Sequence, residues 1–310
     1  MTPETAQALH NPAIAPRVAL PAAAATWRDY VTLTKPRIMS LLVLTSVCAM
    51  VAAAHGSPEV APLAGLVVGG ALACGGASAL NHVLDRDIDQ LMGPRTASRP
   101  VAAGRISPAR ATAFGLALTA LAFAVMVVFT NLLAALLSFG GGAFYVGIYT
   151  YWLKRTTAQN IVIGGAAGAI PPLAGWAAAH GGLGVGAGLL FLIVLLWTPP
   201  HFWALALLLV RHYAAADVPM MPVVRGPEAT ARLVLVYSIL LVAVTLLPGA
   251  IGTFGLFYLA AAALLGVVLL VLAWRLWRDS SPARAGVLFH FSLLYLALLF
   301  VAVAIDAAVR

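Results

Sequence analysis

Residues 62–89 read PLAGLVVGGALACGGASALNHVLDRDID, an apolar run followed at once by an asparagine and three aspartates. A helix needs about 20 apolar residues to cross the hydrocarbon core of a bilayer. An ionised Asp near the bilayer centre costs roughly 2.5–3.5 kcal/mol, so such a cluster is tolerated only beside water, protein partners or bound cations. The stretch therefore predicts a transmembrane helix whose end holds a cation.

The polar residues at the end of this run follow a helical spacing. Asn81, Asp85 and Asp89 are four residues apart, so they share one helix face, whereas Asp87 points away from it. Mg²⁺ prefers hard oxygen ligands, usually takes one or two carboxylates, and completes its shell with water and substrate phosphate. The row is therefore predicted to bind Mg²⁺ through Asn81, Asp85 and Asp89.

Composition extends the membrane assignment to most of the chain. Of the 310 residues 62% are apolar and only 9% are charged, and the mean hydropathy is +0.98. Long continuous apolar runs predict helices rather than a barrel, because backbone groups in lipid must pair within the segment. We expect an all-α integral membrane protein with nine spans, over residues 37–55, 62–81, 110–129, 131–150, 160–179, 184–210, 231–250, 255–274 and 286–308.

The basic residues define the orientation. All Lys and Arg residues except Arg310 fall on one side of the predicted spans, and by the positive-inside rule that side is the cytoplasm. Topogenesis explains the net charge of +8, so nucleic acid is not implied. Residues 1–27 are rich in Ala and Pro and are predicted to form a disordered cytoplasmic tail, which leaves residues 28–310 as one transmembrane domain.

The segment after the acidic row carries donors for phosphate. Gly93 and Pro94 break the helix, so Arg95 and Arg99 become free to fold back over the predicted metal site. Arginine offers a fork of N–H donors that matches phosphate oxygens. Carboxylates that bind a metal, followed by mobile arginines, are suited to hold a diphosphate and to stabilise it as a leaving group.

Several blocks resemble those of the UbiA superfamily of intramembrane prenyltransferases, and within it the protohaem IX farnesyltransferase family. The resemblance covers the chain from about residue 29 onward. The blocks are Leu33-Thr34-Lys35-Pro36-Arg37, Asn81-x-x-x-Asp85-x-x-x-Asp89, Arg95-Thr96-x-x-Arg99-Pro100, Tyr149-Thr150 with Leu153-Lys154-Arg155, residues 160–176, and Trp197-Thr198-Pro199-Pro200-His201-Phe202-Trp203.

The resemblance implies a nine-helix bundle of the bacterial inner membrane with its active site on the cytoplasmic side. It implies transfer of a farnesyl group from farnesyl diphosphate to the C2 vinyl group of haem B, and water addition then gives haem O. Haem B would be a substrate rather than a cofactor, and haem A synthase a neighbouring partner. Diphosphate would be stabilised by Arg95, Arg99, Lys154 and Arg155, and the remaining substrate-binding candidates are Asn81, Tyr149, Asn160, His201, Trp203, Tyr213 and Asp217.

The chain departs from the family pattern at the second acidic motif, where His212 stands in place of an acid. Asp217 is the remaining carboxylate, and it is expected on the same helix face as Tyr213. We therefore include Asp217 among the candidate metal ligands and leave the number of metal ions open.

Other interpretations are compatible with the same residues. His201 could ligate haem iron or be a hydrogen-bonded contact between helices. A related enzyme could prenylate an aromatic quinone precursor, since spacing alone does not define the acceptor. Acidic residues in membrane segments also mark transporters, although a carrier should place them near the bilayer midplane rather than at a helix end.

Overall fold

A computed structural model describes residues 25–310. Within this range nine helices are long and apolar enough to cross a membrane, and the described residues form no strand. The helices are α1 (Pro36–Ala53), α2 (Val60–Leu84), α3 (Pro108–Phe129), α4 (Leu132–Thr156), α5 (Asn160–His180), α6 (Val185–Leu208), α7 (Gly226–Ala250), α8 (Leu256–Arg278) and α9 (Pro282–Val309). The prediction of an all-α membrane protein with nine spans is confirmed.

The predicted N-terminal tail falls almost entirely outside the described residues, which begin at residue 25. A short helix, Trp27–Thr34, starts at the last residue assigned to that tail. Its first turn is closed by Asp29, whose Oδ2 accepts hydrogen bonds from the backbone N of Thr26 at 2.9 Å and from Thr26 Oγ1 at 3.0 Å. A polar link of this kind satisfies donors at a helix N-terminus that have no partner within the helix.

The fourth span is longer than predicted. We expected it to end at residue 150, but α4 continues to Thr156 through a π-helical section, Phe144–Leu153. Its start agrees with the prediction, because Asn131 Oδ1 caps the helix by accepting from the backbone N of Ala134 at 2.9 Å. The extension is important because it keeps Lys154 on a continuous helix instead of in a loop.

The helices pack around α5 and α6. Helix α5 contacts α1, α4 and α6, helix α6 contacts α7 and α9, and α9 closes the bundle against α1. Helices α2 and α3 pack closely: a Cβ at Gly76 would lie 2.8 Å from the carbonyl oxygen of Gly115. The small residues of the opening sequence therefore allow two backbones to approach each other, as is common between membrane helices.

Alternation of helix direction brings the polar connections to one end of the bundle. These connections carry four further short helices, Arg86–Leu91, Pro94–Ala97, Val210–Ala215 and Met221–Val224. The start of α1 and the ends of α2, α4 and α6 meet at the same end. The side chains predicted to bind diphosphate are thus carried by rigid helix termini and by the loops that join them.

Candidate active site

The acidic row is assembled at the end of α2. Helix α2 stops at Leu84, yet the backbone N of Asp85 donates to the carbonyl of Asn81, and that of Asp89 to the carbonyl of Asp85, both at 2.8 Å. These two bonds preserve the four-residue repeat across the junction. Asn81, Asp85 and Asp89 are 3%, 1% and 1% exposed, so the predicted row is buried.

Each buried carboxylate is paired through one oxygen only. Lys154 Nζ lies 2.6 Å from Asp85 Oδ2, and Arg99 Nη1 lies 2.5 Å from Asp89 Oδ1. Asp85 Oδ1 and Asp89 Oδ2 are buried and have no hydrogen-bond partner among residues 25–310. Burial raises the pKa of Asp89, and the Arg99 guanidinium opposes that rise. Buried polar atoms are normally satisfied, so two free carboxylate oxygens point to a ligand.

The two free oxygens fit a hard cation. Mg²⁺ sites that act on phosphates commonly use one or two carboxylates and take their other ligands from water and substrate. The described part of the chain contains no cluster of three or more His, Cys, Asp or Glu side chains arranged for a metal. Asp85 and Asp89 are therefore the residues that would hold Mg²⁺.

A third cation at the site was not predicted from the sequence. Lys35 precedes α1 in a left-handed conformation (φ 49°), and its Nζ donates to Asn81 Oδ1 at 2.7 Å. Burial, with a smaller contribution from the nearby charges of Arg99 and Lys154, lowers the pKa of Lys35 to about 7. The amide of Asn81 also donates to Asp85 Oδ2 at 2.8 Å and to Thr150 Oγ1 at 3.1 Å.

Asn81 thus connects three helices, and its oxygen is already engaged by an ammonium group. Its role as a metal ligand stays a prediction. The Lys35-Pro36 pair before an apolar run did mark the inner end of a helix, but no sequence signal indicated which side chain the lysine would contact.

Arg155, the last of the four basic residues predicted to bind diphosphate, faces away from the acidic row. Arg155 donates to both oxygens of Asp87, at 2.8 and 2.7 Å, and to the carbonyl of Leu84 at 2.6 Å. This pairing lowers the pKa of Asp87, whose side chain is 59% exposed. The outward direction of Asp87 agrees with the helical spacing. Arg155 therefore links the end of α4 to the end of α2 through contacts that lie outside the buried row.

The two arginines of the loop after the row differ in position. Arg99 folds back to Asp89, as expected for a segment that follows Gly93 and Pro94. Arg95 is exposed on the helix Pro94–Ala97 and contacts no carboxylate within the described residues. Gly93 has φ 122°, a conformation that favours glycine, and this turn allows Arg99 to reach the site.

Apolar and aromatic side chains form one wall of the site. Tyr149, Trp203 and Tyr213 belong to the same packed cluster as Ile88, which lies between the aspartates of the row. Burial raises the pKa of the Tyr213 hydroxyl to about 12. Asn160 is fully buried, and neither atom of its side-chain amide has a partner among the described residues. The structure therefore places three predicted substrate-binding residues in this cluster, and Asn160 precedes its member Ile161 in the sequence.

Asp217 does not occupy its expected position. We predicted that it would share a helix face with Tyr213, but the helix Val210–Ala215 ends first. Asp217 adopts a left-handed conformation (φ 50°) and is exposed. The same-face prediction is wrong because the chain leaves helical geometry before it reaches this residue. The proposed metal-ligand role of Asp217 stays a prediction, without support from its placement.

His201 lies on α6 at the contact with α9. It is 6% exposed, and its Nδ1 is 2.7 Å from Ser292 Oγ. Of the two interpretations given above, the structure shows the hydrogen-bonded contact between helices directly. His201 is not part of the charged row.

Comparisons with known proteins identify the fold and the family. The UbiA prenyltransferase family model matches residues 42–303. The structure resembles that of digeranylgeranylglyceryl phosphate synthase, with a TM-score of 0.75, 18% identity and coverage of 91% of this chain and 99% of that one. It also resembles a UbiA homologue from Archaeoglobus fulgidus bound to GPP and Mg²⁺, with a TM-score of 0.64, 15% identity and coverage of 89% and 99%.

Curated relatives are much more similar in sequence. Protoheme IX farnesyltransferase from Gloeobacter violaceus is 52% identical over 291 residues, which cover 93% of this chain and 94% of the relative. The protein of the same name from Roseiflexus sp. (strain RS-1) is 49% identical over 91% of this chain, and the chain spans about half, 53%, of its length. The family model and these relatives agree along most of the sequence, and the protein belongs to the UbiA prenyltransferase family.

Proposed function

We propose that this protein transfers the farnesyl group of farnesyl diphosphate to the C2 vinyl group of haem B, with addition of water, to give haem O and diphosphate. The observation that carries the proposal is the buried pair Asp85 and Asp89, in which each carboxylate keeps one oxygen paired to a base and the other free. The names of the relatives, at about half identity over nine-tenths of the chain, support the choice of acceptor.

The three cations of the site would bind the diphosphate. Lys35, Arg99 and Lys154 surround the row, and all three now donate to its amide or carboxylate oxygens. Mg²⁺ held by Asp85 and Asp89 would neutralise phosphate charge and so make diphosphate a better leaving group. Lys154 pairs with Asp85 and Arg99 pairs with Asp89, and each base has further N–H donors for phosphate oxygens. Burial strengthens these electrostatic contacts.

The proposed reaction balances with farnesyl diphosphate, haem B and water as its reactants. The C–O bond between farnesyl C1 and diphosphate breaks, which leaves an allylic cation. The vinyl π bond of the porphyrin attacks that cation and forms the new C–C bond. Water adds to the resulting cation and releases a proton, so the product carries a hydroxyl group. The wall around Tyr149, Trp203 and Tyr213 limits the access of other water to the first cation.

The location follows from the charge pattern. We propose a multi-pass protein of the bacterial inner membrane with the acidic row at the cytoplasmic side, because nearly all basic residues lie at that end. Both organic substrates are apolar, so a site inside a membrane bundle spares them a return to water. A haem A synthase in the same membrane is the proposed consumer of the product.

The experiment is an assay of purified protein with haem B, farnesyl diphosphate and Mg²⁺, and the product is identified by its mass. Asp85→Asn should lower the rate by roughly 100-fold or more, because it removes a carboxylate ligand of the Mg²⁺ that would neutralise the charge of the leaving diphosphate. Asp279→Asn is the matched control, since Asp279 is an exposed carboxylate beyond the end of α8 that pairs with Arg284. Chelation of Mg²⁺ should also stop the reaction.

Two results would count against the proposal. A normal rate of haem O formation by Asp85→Asn would show that the acidic row is not the active site. Prenylation of an aromatic quinone precursor in place of haem B would show that the proposed acceptor is wrong. Flux of ions or solutes in proteoliposomes without any product would favour a transporter.

A further inference from the structure

Arg105 lies in the connection between α2 and α3, and its guanidinium contacts two separate segments of the chain. Its Nε donates to Asp29 Oδ1 at 2.8 Å, and its Nη2 donates to the carbonyl oxygen of Ser98 at 2.9 Å. Ser98 directly precedes Arg99, whose Nη1 lies 2.5 Å from Asp89 Oδ1. The fork of donors on Arg105 therefore holds the backbone next to a cation of the acidic row.

Asp29 is a rigid partner for this arginine. Its Oδ2 accepts from the backbone N and from the Oγ1 of Thr26, while its Oδ1 accepts from Arg105. The residue is buried, and contacts on both carboxylate oxygens leave the group little freedom to turn. Asp29 lies in the first turn of the short helix Trp27–Thr34, so this helix determines where Arg105 is held.

The short helix is itself attached to α2, the helix that leads into the acidic row. Ser78 Oγ of α2 donates to the carbonyl oxygen of Leu33 at 2.6 Å, and a Cβ at Gly75 would lie 3.2 Å from Thr34 Cγ2. Leu33 is fully buried in an apolar cluster. None of these contacts involves Arg105, so we expect the short helix to keep its place when the arginine is removed.

Two of the three cations at the site thus depend on the short helix. The chain continues from this helix directly into Lys35, whose Nζ donates to Asn81 Oδ1. Through Arg105, the same helix holds the carbonyl that precedes Arg99. The third cation, Lys154, is carried by α4 instead.

Arg99 needs a fixed backbone because its side chain has to change partners. In the proposed function its guanidinium pairs with Asp89 before substrate binds and donates to phosphate oxygens afterwards. The contact with Asp89 alone could not keep the arginine in place during this change. A displacement of about 1 Å can lower a rate by about 100-fold, so a residue that fixes the preceding carbonyl can affect the site without touching substrate.

We propose that Arg105 is a positioning residue for diphosphate binding, which acts through the backbone of Ser98 on Arg99 and is supported by Asp29. The inference rests on the proposed function, since it concerns how that site holds a phosphate-binding arginine. The contacts form a continuous path that begins at α2. Helix α2 holds the short helix, the short helix holds Arg105, and Arg105 holds the loop that returns Arg99 to the acidic row.

The test is the affinity of purified full-length protein for inorganic diphosphate with Mg²⁺, measured by calorimetry, together with KM for farnesyl diphosphate and for haem B. Arg105→Met keeps the length of the side chain and removes its donors. It should weaken diphosphate binding and raise KM for farnesyl diphosphate by about 10-fold, the scale of one hydrogen bond to a charged group. KM for haem B should change little. Asp29→Asn should act in the same direction but less, because the contact with Ser98 remains.

A double-mutant cycle tests whether Arg105 acts through Arg99. Arg99→Met should weaken diphosphate binding by itself, and Arg105→Met should cause no further loss of affinity in that background. The fall in thermal midpoint caused by Arg105→Met should be small and equal in both backgrounds, because the contact with Asp29 is lost in each. A purely structural role would instead make the two losses of affinity add.

Arg284→Met is the matched control for the loss of an arginine from an ion pair. Arg284 lies in the first turn of α9 and pairs with Asp279 at 3.6 Å, and both side chains are exposed. This variant should leave the diphosphate affinity and both KM values unchanged. A change as large as that of Arg105→Met would show that any lost surface arginine weakens diphosphate binding, and the inference would be wrong.

The remaining outcomes separate this inference from the proposed function. Equal rises in KM for both substrates, or normal diphosphate affinity in both Arg105→Met and Asp29→Asn, would overturn the inference alone. Wild-type protein that binds diphosphate but forms no haem O would disprove the proposed function, and the diphosphate affinities would still decide the role of Arg105. Wild-type protein that binds no diphosphate with Mg²⁺ would disprove both. If Arg105→Met does not fold, Asp29→Asn in the wild-type and Arg99→Met backgrounds gives the same comparison.

Discussion

Lys154 Nζ lies 2.6 Å from Asp85 Oδ2, and this ion pair joins the end of α4 to the end of α2 inside the bundle. The Lys154 side chain is 12% exposed and that of Asp85 only 2%. The next residue, Arg155, joins the same two helix ends through Asp87, but those side chains are 33% and 59% exposed. Two adjacent ion pairs therefore differ mainly in burial.

We expect Lys154→Met to destabilise the protein far more than Arg155→Met. Removal of one partner of a buried pair leaves an uncompensated charge and costs about 3–5 kcal/mol. An exposed pair contributes about 0.2–1 kcal/mol, since water screens it. The measurement is the thermal midpoint of each variant in detergent. Lys154→Met combined with Asp85→Leu should recover part of the lost stability. Equal thermal midpoints for Lys154→Met and Arg155→Met would contradict the conclusion that only the Lys154 pair is buried.

Local periodicity explains which part of the site the sequence predicted. Asn81, Asp85 and Asp89 are brought together by backbone hydrogen bonds between residues four apart, so their common face follows from the spacing alone. The outward direction of Asp87 follows from the same geometry. The nine helices were equally predictable, since length and hydropathy are properties of each segment by itself.

Contacts between distant segments could not be derived in this way. Lys35 reaches Asn81 across 46 residues, and Thr150 reaches it across 69. Both contacts depend on how α1 and α4 pack against α2, including the π-helical section of α4. Asp217 was misplaced for a different reason, because helical spacing was extended past Ala215, where the chain takes a left-handed turn.

Asp29 should make stability depend on pH in the acid range. The backbone N–H of Thr26 and the Arg105 guanidinium, whose Nε lies 2.8 Å from Asp29 Oδ1, hold the pKa of this carboxyl below its ordinary value of 3.8. A carboxyl group with a lowered folded-state pKa stabilises the fold above its unfolded pKa, and this contribution is lost as pH falls through the folded value. We expect wild type to have a higher thermal midpoint than Asp29→Asn near neutral pH and the gap to close below pH 3.8. A difference in thermal midpoint that does not change with pH would show that the ionised Asp29 carboxylate is not its source.

Gly175 should be essential for the packing of α5 against α1. A Cβ at this position would overlap the backbone carbonyl of Ser46, which cannot move without its helix. Gly175→Ala is expected to cost about 1–3 kcal/mol or more, as overpacking of a tight contact does. Gly168→Ala is the control on the same helix, since nothing lies within 4 Å of its Cβ, and it should be neutral or stabilise by up to about 1 kcal/mol. Thermal midpoints of the two variants give the comparison directly.

The contact of Gly93 with His212 links the arginine loop to the segment after α6. A Cβ at Gly93 would lie 2.9 Å from His212 Cδ2, and the φ of 122° is itself unfavourable for alanine. Gly93→Ala should therefore displace the loop that carries Arg99 to Asp89. Since Arg99 is proposed to bind diphosphate, KM for farnesyl diphosphate should rise, with a smaller change in KM for haem B.

A double-mutant cycle separates the two causes of this effect. His212→Ala removes the steric overlap but not the backbone strain, which costs about 1–3 kcal/mol at such a position. Gly93→Ala combined with His212→Ala should therefore recover only part of the affinity for farnesyl diphosphate, measured as KM. Full recovery would show that the histidine ring alone restricts this turn, and no recovery would show that backbone conformation is the whole constraint. Either way the cycle tests whether the residue that replaces an acid in the second motif acts on the first motif through packing.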